Sequence, residues 1–323
     1  MFDFEEWSES LDIINNWRAS HSFPLNTFTV GLKRRAKEVD SNALVAQRIK
    51  RISSIAHKLE RFKTMKLSQM QDVGGCRAIV DTIEHVNFLV ENQKRSNIKH
   101  KLVKESDYIK SPKTSGYRGV HLIYKYHSDR SENYNGLQIE MQIRSGFQHA
   151  WATAVETVGT LVQQALKSSI GADDWLRFFA LMGTAIAWQE NSTPVPGTPE
   201  TSKGLVAELR GYAEQRALAD RLRTYGAALH TAEQSSATER DASYFLLRLD
   251  PSAQEVTVTG FRKDEFQQAS KEYLAMEQDI RGKSGQDAVL VSVDSLASLR
   301  RAYPNYFLDT TVFIGLVNDA LGL

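Results

Sequence analysis

The stretch Leu137-Gln-Ile-Glu-Met-Gln-Ile-Arg144 alternates apolar and polar side chains over eight consecutive residues. Because successive side chains of an extended strand point to opposite faces, its apolar residues share one face and its polar residues share the other. The apolar face has to pack on helices, so the polar face, with Glu140, Gln142 and Arg144, is free to line a cleft. The chain is therefore expected to contain a sheet with one helix-covered face and one polar face.

Periodicity predicts the other elements of the first two hundred residues. Apolar residues recur at or near helical spacing along several segments, which predicts helices over 5–20, 42–66, 83–94, 145–166 and 173–190. Apolar runs predict strands over 75–80 and 119–126. Residues 191–202 hold three of the seven prolines and predict a loop, after which a helix is expected through about residue 233.

The composition changes after the polar residues 234–238. A β-hairpin is predicted around Asp250-Pro-Ser, and the elements expected after it are a helix over 264–280, a strand over 288–293 and a short helix ending at Arg301. This part reads as a compact appendage with its own sheet. We therefore expect three parts: a first domain over 1–190, a linker with a connecting helix over 191–240, and a small regulatory domain over 241–323.

Composition limits the classes of protein to which the chain can belong. Of its 323 residues, 41% are hydrophobic and 24% are charged, as in ordinary globular proteins. No stretch approaches the roughly 18 apolar residues of a membrane span, and the first residues lack the features of a signal peptide. The single cysteine, Cys76, excludes an internal disulfide and a multi-thiolate zinc site. A cytoplasmic protein without a membrane partner is expected.

Positive charge is concentrated between Lys33 and Lys66, a segment with eleven Lys or Arg residues and only three acidic residues. Such a run is compatible with a solvated helix face. Beside a nucleotide site it would gather phosphates, either of a nucleotide or of an RNA backbone. In the second interpretation Lys33, Arg34 and Arg35 are candidate contacts of an acceptor.

The segment from Asp107 to His121 has the composition of a nucleotide-binding loop. Lys110, Lys113 and Arg118 offer cations for phosphates, and a Ser-Gly pair allows the backbone to turn sharply. Tyr117 looks exposed and offers a flat face on which a base can stack. A basic surface hairpin is the alternative interpretation of this segment.

Two carboxylates complete a site that could move a phosphoryl group. Asp72 stands just before Gly74-Gly75, and Glu140 projects from the polar face of its strand. Two carboxylates brought together by a sheet are a common way to hold Mg²⁺ and to orient a nucleophile.

Four blocks, at 48–58, 72–80, 107–121 and 137–156, agree in order and spacing with one family. Together they resemble the nucleotidyltransferase domain of the RelA/SpoT family, the pyrophosphate-transferring alarmone synthetases, over roughly residues 15–165. The resemblance implies an α+β fold with a mixed β-sheet flanked by helices. It also implies ATP as the pyrophosphate donor and Mg²⁺ as the metal.

The same resemblance implies roles for individual residues. Asp72 and Glu140 match the metal-binding and activating carboxylates. The positions that match the family's ATP-binding residues are Arg48, Lys50, Ser54, Lys58 and Arg77, with Arg48 and Arg77 expected to sandwich the adenine, and Lys110 and Lys113 match loop cations that face the phosphates. On the acceptor side, Tyr117 matches the tyrosine that stacks on the acceptor's base, with Gln142 and Arg144 near Glu140.

The appended C-terminal part resembles that of the toxic small alarmone synthetases, and most of all the fused toxin–antitoxin CapRel group of phage-defence proteins. That resemblance implies a pseudo-zinc-finger-like module, pyrophosphate transfer to the 3′ end of tRNA, and a phage trigger such as the major capsid protein. Tyr303 and Tyr306 fit the family's Tyr-x-x-Tyr element, which blocks the active site. They are therefore predicted to cover the nucleotide cleft.

Three alternatives remain open from the sequence. A (p)ppGpp synthetase that transfers pyrophosphate from ATP to GDP or GTP shares every catalytic residue with the tRNA-modifying enzyme. A nucleotide-binding module without catalysis is the second alternative, which the presence of both carboxylates disfavours. In the third, Tyr303 and Tyr306 anchor only the core of the small domain.

Overall fold

The computed structural model describes residues 4–164, 172–216, 230–235, 242–283 and 285–322. Its helices, numbered α1 to α10, are Phe4–Ser20, Ser22–Val39, Ile52–Arg61, Ile83–Arg95, Gly146–Gln164, Ala172–Gln189, Ser202–Arg216, Phe266–Asp279, Leu296–Ala302 and Thr311–Leu321. Its strands, numbered β1 to β9, are Leu44–Ile49, Gly74–Val80, Lys101–Asp107, Val120–Lys125, Gln138–Ser145, His230–Ser235, Ala242–Asp250, Glu255–Arg262 and Asp287–Ser292. None of the helices within these ranges is long and apolar enough to cross a membrane.

All nine of these strands form one sheet, in the order β3-β4-β5-β2-β1-β9-β7-β8-β6. The β2–β5 and β6–β8 pairs are parallel and the others are antiparallel. The expected mixed sheet of an α+β fold is thus confirmed. The predicted hairpin around Asp250 is also confirmed, as the antiparallel pair β7–β8.

The expectation that the C-terminal part has its own sheet is wrong. Strand β9 pairs with β1 through Gln47↔Ser292 and Arg48↔Val291, so the C-terminal strands continue the first sheet. Without β9, the backbone groups along that side of β1 would form an open sheet edge. The boundaries at residues 190 and 240, and the likeness of the C-terminal part to a zinc finger, stay predictions.

The predicted helix over 42–66 is also wrong, because its first part forms strand β1. Val45 packs under the helix-covered face, whereas Leu44 and Ala46 pack against the C-terminal core. A strand that is buried on both faces shows no apolar–polar alternation, so its apolar residues mimicked helical spacing. Of the helix expected through residue 233, Ser202–Arg216 is helical and 230–233 belong to β6, while residues 217–229 lie outside the described part of the chain.

Helices α2 and α4 cover one face of the sheet. Leu25, Phe28 and Leu32 of α2 pack on the inward residues of β5, which include Ile139 and Met141. Gly74 permits this contact, because a Cβ there would lie 2.8 Å from Ile139 Cδ1 and 3.3 Å from His21 Cβ. By strand alternation, Glu140 and Gln142 face the other side of the sheet. We call this side the cleft face.

Helices α5, α6, α7 and α10 form a second core beside the cleft face. The loop before Tyr117 is packed tightly against this core at Gly116, whose φ is +94°. A Cβ at Gly116 would lie 2.6 Å from the Phe179 carbonyl oxygen and 2.9 Å from Trp151 Cζ2. The position of Tyr117 therefore depends on the glycine at position 116, directly before it.

Replacing Gly116 with alanine is expected to destabilise the protein. The positive φ costs about 1–3 kcal/mol, and the overpacking against Phe179 costs about 1–3 kcal/mol more. The free energy of unfolding in urea measures the change. The control is Gly159→Ala in α5, where nothing lies within 4 Å and alanine favours the helix. Equal unfolding free energies for the two variants would contradict this packing argument.

Candidate functional site

The register of four strands brings the predicted site residues onto the cleft face. Arg48 of β1 pairs with Gly75 of β2, and Gly75 pairs with Glu140 of β5. In the next row Arg77 pairs with Gln142, which pairs with His121 of β4. Since Gly75 has no side chain, the row between Arg48 and Glu140 has an open place at its centre.

Asp72 lies two residues before β2, between two lysines. Its carboxylate oxygens accept hydrogen bonds from Lys50 Nζ and Lys58 Nζ, each at 2.9 Å. Burial alone would raise the pKa of Asp72, but the two ammonium groups outweigh it and hold this pKa below its ordinary value. The structure thus places two of the predicted ATP-binding lysines, Lys50 and Lys58, on the ionised carboxylate of Asp72.

Glu140 is held by two side chains on its own face. Its Oε1 lies 2.9 Å from His121 Nδ1, and its Oε2 accepts a hydrogen bond of 2.8 Å from Gln142 Nε2. Burial acts to raise the pKa of Glu140, yet these contacts lower it below its ordinary value, against the nearby charge of Asp72. Both predicted catalytic carboxylates are therefore ionised at neutral pH.

Tyr117 is half-buried rather than exposed as the sequence suggested. Its hydroxyl accepts a hydrogen bond of 2.7 Å from Arg144 Nη2 and contacts His121 Nε2. The Lys113 ammonium lies 5.1 Å from the Tyr117 ring centre and 4.3 Å from that of Tyr108. Arg144 and Lys113 thus flank an aromatic wall at the edge of the cleft face.

Arg48 and Arg77 lie side by side on the cleft face. Burial lowers the pKa of Arg77 to about 10, and the positive charges of Arg144 and Arg48 add to this effect. Burial also raises the pKa of Tyr303, whereas the guanidinium groups of Arg48 and Arg77 act to lower it. The C-terminal tyrosine therefore lies in the electrostatic field of the two arginines that were predicted to hold adenine.

Other predicted residues are not brought to this site. Lys33, Arg34 and Arg35 belong to α2, which covers the opposite face of the sheet, and Lys33 pairs with Asp294. Arg118 is buried, and its guanidinium donates to the Thr193 carbonyl and to the Ser192 hydroxyl. Arg118 thus holds the loop after α6, and its guanidinium is not available for the contact with phosphates that the sequence suggested.

Two further predicted residues lie at the margin of the site. Ser54 is half-buried in the first turn of α3, close in sequence to Lys50. Lys110 is exposed on the loop after β3 and pairs with Asp107 at 3.3 Å. Their predicted roles in ATP binding stay predictions.

Sequence reasoning missed His121 and Tyr108. His121 touches both Glu140 and Tyr117, and the rings of Tyr108 and His121 meet edge to face at 5.3 Å. Strand alternation could have found His121, because it follows Tyr117 by four residues in a segment that enters β4. Tyr108 carried no comparable signal, because its contact with Tyr117 depends on the path of the loop between them, which no sequence pattern predicts.

The C-terminal part touches the segment that carries the predicted ATP ligands. Glu277 of α8 accepts a hydrogen bond of 3.0 Å from the Ile52 backbone N–H, at the start of α3. It also pairs at 3.0 Å with buried Arg18, whose Nε donates to the Lys50 carbonyl at 2.9 Å. Helix α3 therefore begins at a carboxylate supplied from the other end of the chain.

Tyr303 and Tyr306 lie in the core shared by β1 and the C-terminal strands. The Tyr306 hydroxyl donates to Asp287 Oδ2 at 2.9 Å, and Asp287 also pairs with Arg51. The Tyr303 hydroxyl lies 3.4 Å from the Gln47 carbonyl oxygen. Both tyrosines thus belong to the C-terminal core and to its interface with β1.

The donor set of this face fits Mg²⁺. Asp72 and Glu140 are both ionised and half-buried at adjacent strands, and carboxylate oxygens are the protein ligands that Mg²⁺ prefers. No cluster of three or more His, Cys, Asp or Glu suited to a metal occurs among the described residues. A metal held here would therefore use these two carboxylates and the phosphates of a bound nucleotide, as Mg²⁺ commonly does.

Residues 47–158 match the family described as a region found in RelA / SpoT proteins. The matched segment runs from β1 into α5 and contains most of the cleft face. Two curated relatives from Bacillus subtilis (strain 168) are named GTP pyrophosphokinases. YwaC is 32% identical over 112 residues, or 33% of this chain and 52% of YwaC. YjbM is 33% identical over 115 residues, or 34% of this chain and 52% of YjbM.

The chain thus spans about half the length of the curated relatives it matches. Among solved structures, small alarmone synthetase 1 from Bacillus subtilis bound to its product pppGpp aligns with a TM-score of 0.45 at 22% identity, over 58% of this chain and 94% of that one. Small alarmone synthetase 2 from the same organism aligns with a TM-score of 0.44 at 24% identity, over 54% of this chain and 94% of that one.

Proposed function

We propose that the chain is a pyrophosphokinase that moves the β,γ-pyrophosphate of ATP to a hydroxyl of an acceptor nucleotide. The observation that carries this proposal is the pair of ionised carboxylates, Asp72 just before β2 and Glu140 on the neighbouring strand β5, with Lys50 and Lys58 paired to Asp72. Such a site can grip a triphosphate, hold a divalent ion and activate a hydroxyl, which are the three requirements of the transfer.

In the proposed reaction, the acceptor oxygen attacks the β-phosphorus of ATP and the bond to the α-phosphate oxygen breaks, releasing AMP. Glu140 takes the hydroxyl proton as the new bond forms. Lys50 and Lys58 turn from Asp72 to the phosphates, and Arg48 and Arg77 hold the adenine by stacking. Bound Mg²⁺ would supply charge neutralisation at the phosphates, with Asp72 and Glu140 as its protein ligands.

A guanosine nucleotide is the acceptor that the comparisons favour, because both curated relatives are named GTP pyrophosphokinases. The 3′ end of tRNA is the second candidate. It is supported by the exposed cations Arg61, Lys63 and Lys66, which follow Lys58 at the end of α3 and could attract an RNA backbone. Lys33, Arg34 and Arg35 lie on the other layer and lend this candidate no support.

The proposal includes restraint of the site by the C-terminal part. Tyr303 contacts the Gln47 carbonyl, next to Arg48 in β1, and lies in the field of Arg48 and Arg77. In the proposed resting state its ring fills space that the adenine would need. The Glu277 carboxylate accepts a hydrogen bond from the Ile52 backbone at the start of α3, and so restrains the segment that carries the predicted ATP ligands as well. A protein that binds the open state would then release the activity, and a phage capsid protein in that role rests on resemblance alone.

Tyr117→Ala is expected to weaken the acceptor and to spare ATP. Stacking of a base on an aromatic ring contributes roughly 1–3 kcal/mol, so the Kd for GDP should rise accordingly. Calorimetry with GDP and with a non-hydrolysable ATP analogue, on the chain released by Tyr303→Ala and Tyr306→Ala, measures the two affinities separately. Tyr134→Ala is the matched control, because Tyr134 stacks on Phe23 away from the cleft face. Loss of ATP affinity with unchanged GDP affinity would contradict the stacking role.

A further inference from the structure

A closed circuit of hydrogen bonds joins five side chains on the cleft face. On one side, His121 links Glu140 Oε1, at 2.9 Å from its Nδ1, to the Tyr117 hydroxyl at its Nε2. On the other side, Gln142 donates to Glu140 Oε2 at 2.8 Å, and Arg144 Nη2 donates to Gln142 Oε1 at 3.0 Å and to Tyr117 at 2.7 Å. Among the described contacts, His121 is the one side chain that touches both Glu140 and Tyr117.

The donors and acceptors of this circuit place a hydrogen on Nδ1 of His121. The Glu140 carboxylate can only accept, so the nitrogen that faces it has to donate. The Arg144 guanidinium can only donate, so the Tyr117 oxygen accepts from it and its own hydrogen can point to His121 Nε2. A neutral imidazole with its hydrogen on Nδ1 therefore satisfies both ring nitrogens in this circuit.

The ring of His121 is also held in place by aromatic neighbours. Its plane is nearly perpendicular to those of Tyr117 and Tyr108, with interplanar angles of 89° and 87°. The side chain is mostly buried, at 15% exposure, so it cannot turn freely. The orientation of the imidazole thus fixes the Glu140 carboxylate relative to the Tyr117 ring.

We propose that His121 is a positioning residue that couples the acceptor-stacking Tyr117 to the activating carboxylate Glu140, through Nε2 on one side and Nδ1 on the other. The proposal rests on the pyrophosphokinase function proposed above. A base that stacks on Tyr117 would then be presented to a carboxylate whose direction is already set. Loss of the Nδ1 contact with Glu140 would then lower kcat. Loss of the Nε2 contact with Tyr117 would weaken binding of the acceptor and raise its KM.

Two amide substitutions separate the two nitrogens in the full chain. In His121→Asn the side-chain amide can replace Nδ1 and still reach Glu140, while the contact with Tyr117 is lost. In His121→Gln the amide can replace Nε2 and reach Tyr117, while the contact with Glu140 is lost. Partners of this kind typically contribute 10–100-fold to activity.

Initial rates with ATP, Mg²⁺ and GDP as the acceptor give kcat and KM for each variant, measured in the full chain that also carries Tyr303→Ala and Tyr306→Ala to release the proposed restraint. We expect about a 10–100-fold loss of kcat in His121→Gln, and a rise in the KM for GDP as the main effect in His121→Asn. The matched controls are His127→Asn and His127→Gln, at an exposed histidine beside Asp129, which should behave as the parent. Equal changes of kcat and KM in both His121 variants would overturn the proposal, because a merely structural residue would not split them.

A second measurement needs no transfer at all. The ¹⁵N shifts of the histidine side chains in the resting protein report which nitrogen bears the hydrogen, and the signal absent from His121→Gln identifies His121. A neutral ring with its hydrogen on Nδ1 supports the proposal, and one with its hydrogen on Nε2 overturns it. Failure of both the parent and the variant with Tyr303→Ala and Tyr306→Ala to transfer pyrophosphate to GDP or tRNA would refute the proposed function, while the tautomer would still decide the link between Tyr117 and Glu140.

Discussion

Asp72→Asn and Glu140→Gln are each expected to lower kcat for pyrophosphate transfer by ~10²-fold or more, since charged groups aimed at a transition state commonly have effects of this size. Asp72→Asn removes the charge that would bind Mg²⁺ and balance two lysines. Glu140→Gln removes the acceptor of the hydroxyl proton. Both substitutions keep the shape of the side chain, so the fold should persist.

Matched controls separate loss of charge at the site from loss of charge in general. Asp129→Asn replaces an exposed aspartate that pairs with Lys99. Glu105→Gln replaces a glutamate that pairs with Lys94 beside the sheet edge. Rates should be measured in the parent and in a variant released from the C-terminal restraint. If either site variant stays within a few-fold of its control, these carboxylates are not the catalytic pair.

Replacing both Tyr303 and Tyr306 with alanine is expected to give transfer without a trigger, by opening the space beside Arg48 and Arg77. The structure also predicts a large stability cost, because both rings are buried and truncating a buried aromatic costs about 3–5 kcal/mol. Transfer rate and urea unfolding should therefore be measured on the same preparation. The expected result is a less stable protein with a higher rate.

A second tyrosine in the same module tests whether loss of stability alone accounts for any activity. Tyr244→Ala truncates a ring that packs on Phe266, in a different apolar cluster from the one that holds Tyr303 and Tyr306. This variant should lose stability and remain restrained. Tyr303→Phe and Tyr306→Phe keep the rings and remove only the hydroxyl contacts to Gln47 and Asp287, so they should release less activity than the double alanine variant. Activation by Tyr244→Ala equal to that of the double variant would contradict a specific role for Tyr303 and Tyr306.

The candidate site was more predictable from the sequence than the fold around it. Alternation in β5 placed Glu140, Gln142 and Arg144 on one face, because that strand is apolar on one side only. Strand β1 escaped prediction, since apolar side chains cover both of its faces and leave no alternation.

Other features depend on contacts between distant parts of the chain, and no local pattern carries them. The pairing of β1 with β9 joins residues about 245 positions apart, from Gln47 to Ser292. Arg118 looked like a phosphate ligand by charge alone, but the loop at Ser192 and Thr193 binds its guanidinium. The basic residues of α2 were adjacent in sequence to the site residues, yet the intervening strand places them on opposite sides of the sheet.

The most direct test of the proposed function is to incubate the protein, as the parent and as the double tyrosine variant, with Mg²⁺, ATP labelled on its γ-phosphate, and either GDP, GTP or tRNA. The proposed function predicts that label moves to an acceptor, that AMP forms in equal amount, and that both depend on Asp72. Label in a guanosine nucleotide would support the first acceptor, and salt-sensitive label in tRNA would support the second. If ATP yields only ADP and phosphate, or if no acceptor is labelled by either protein, the chain is not a pyrophosphokinase.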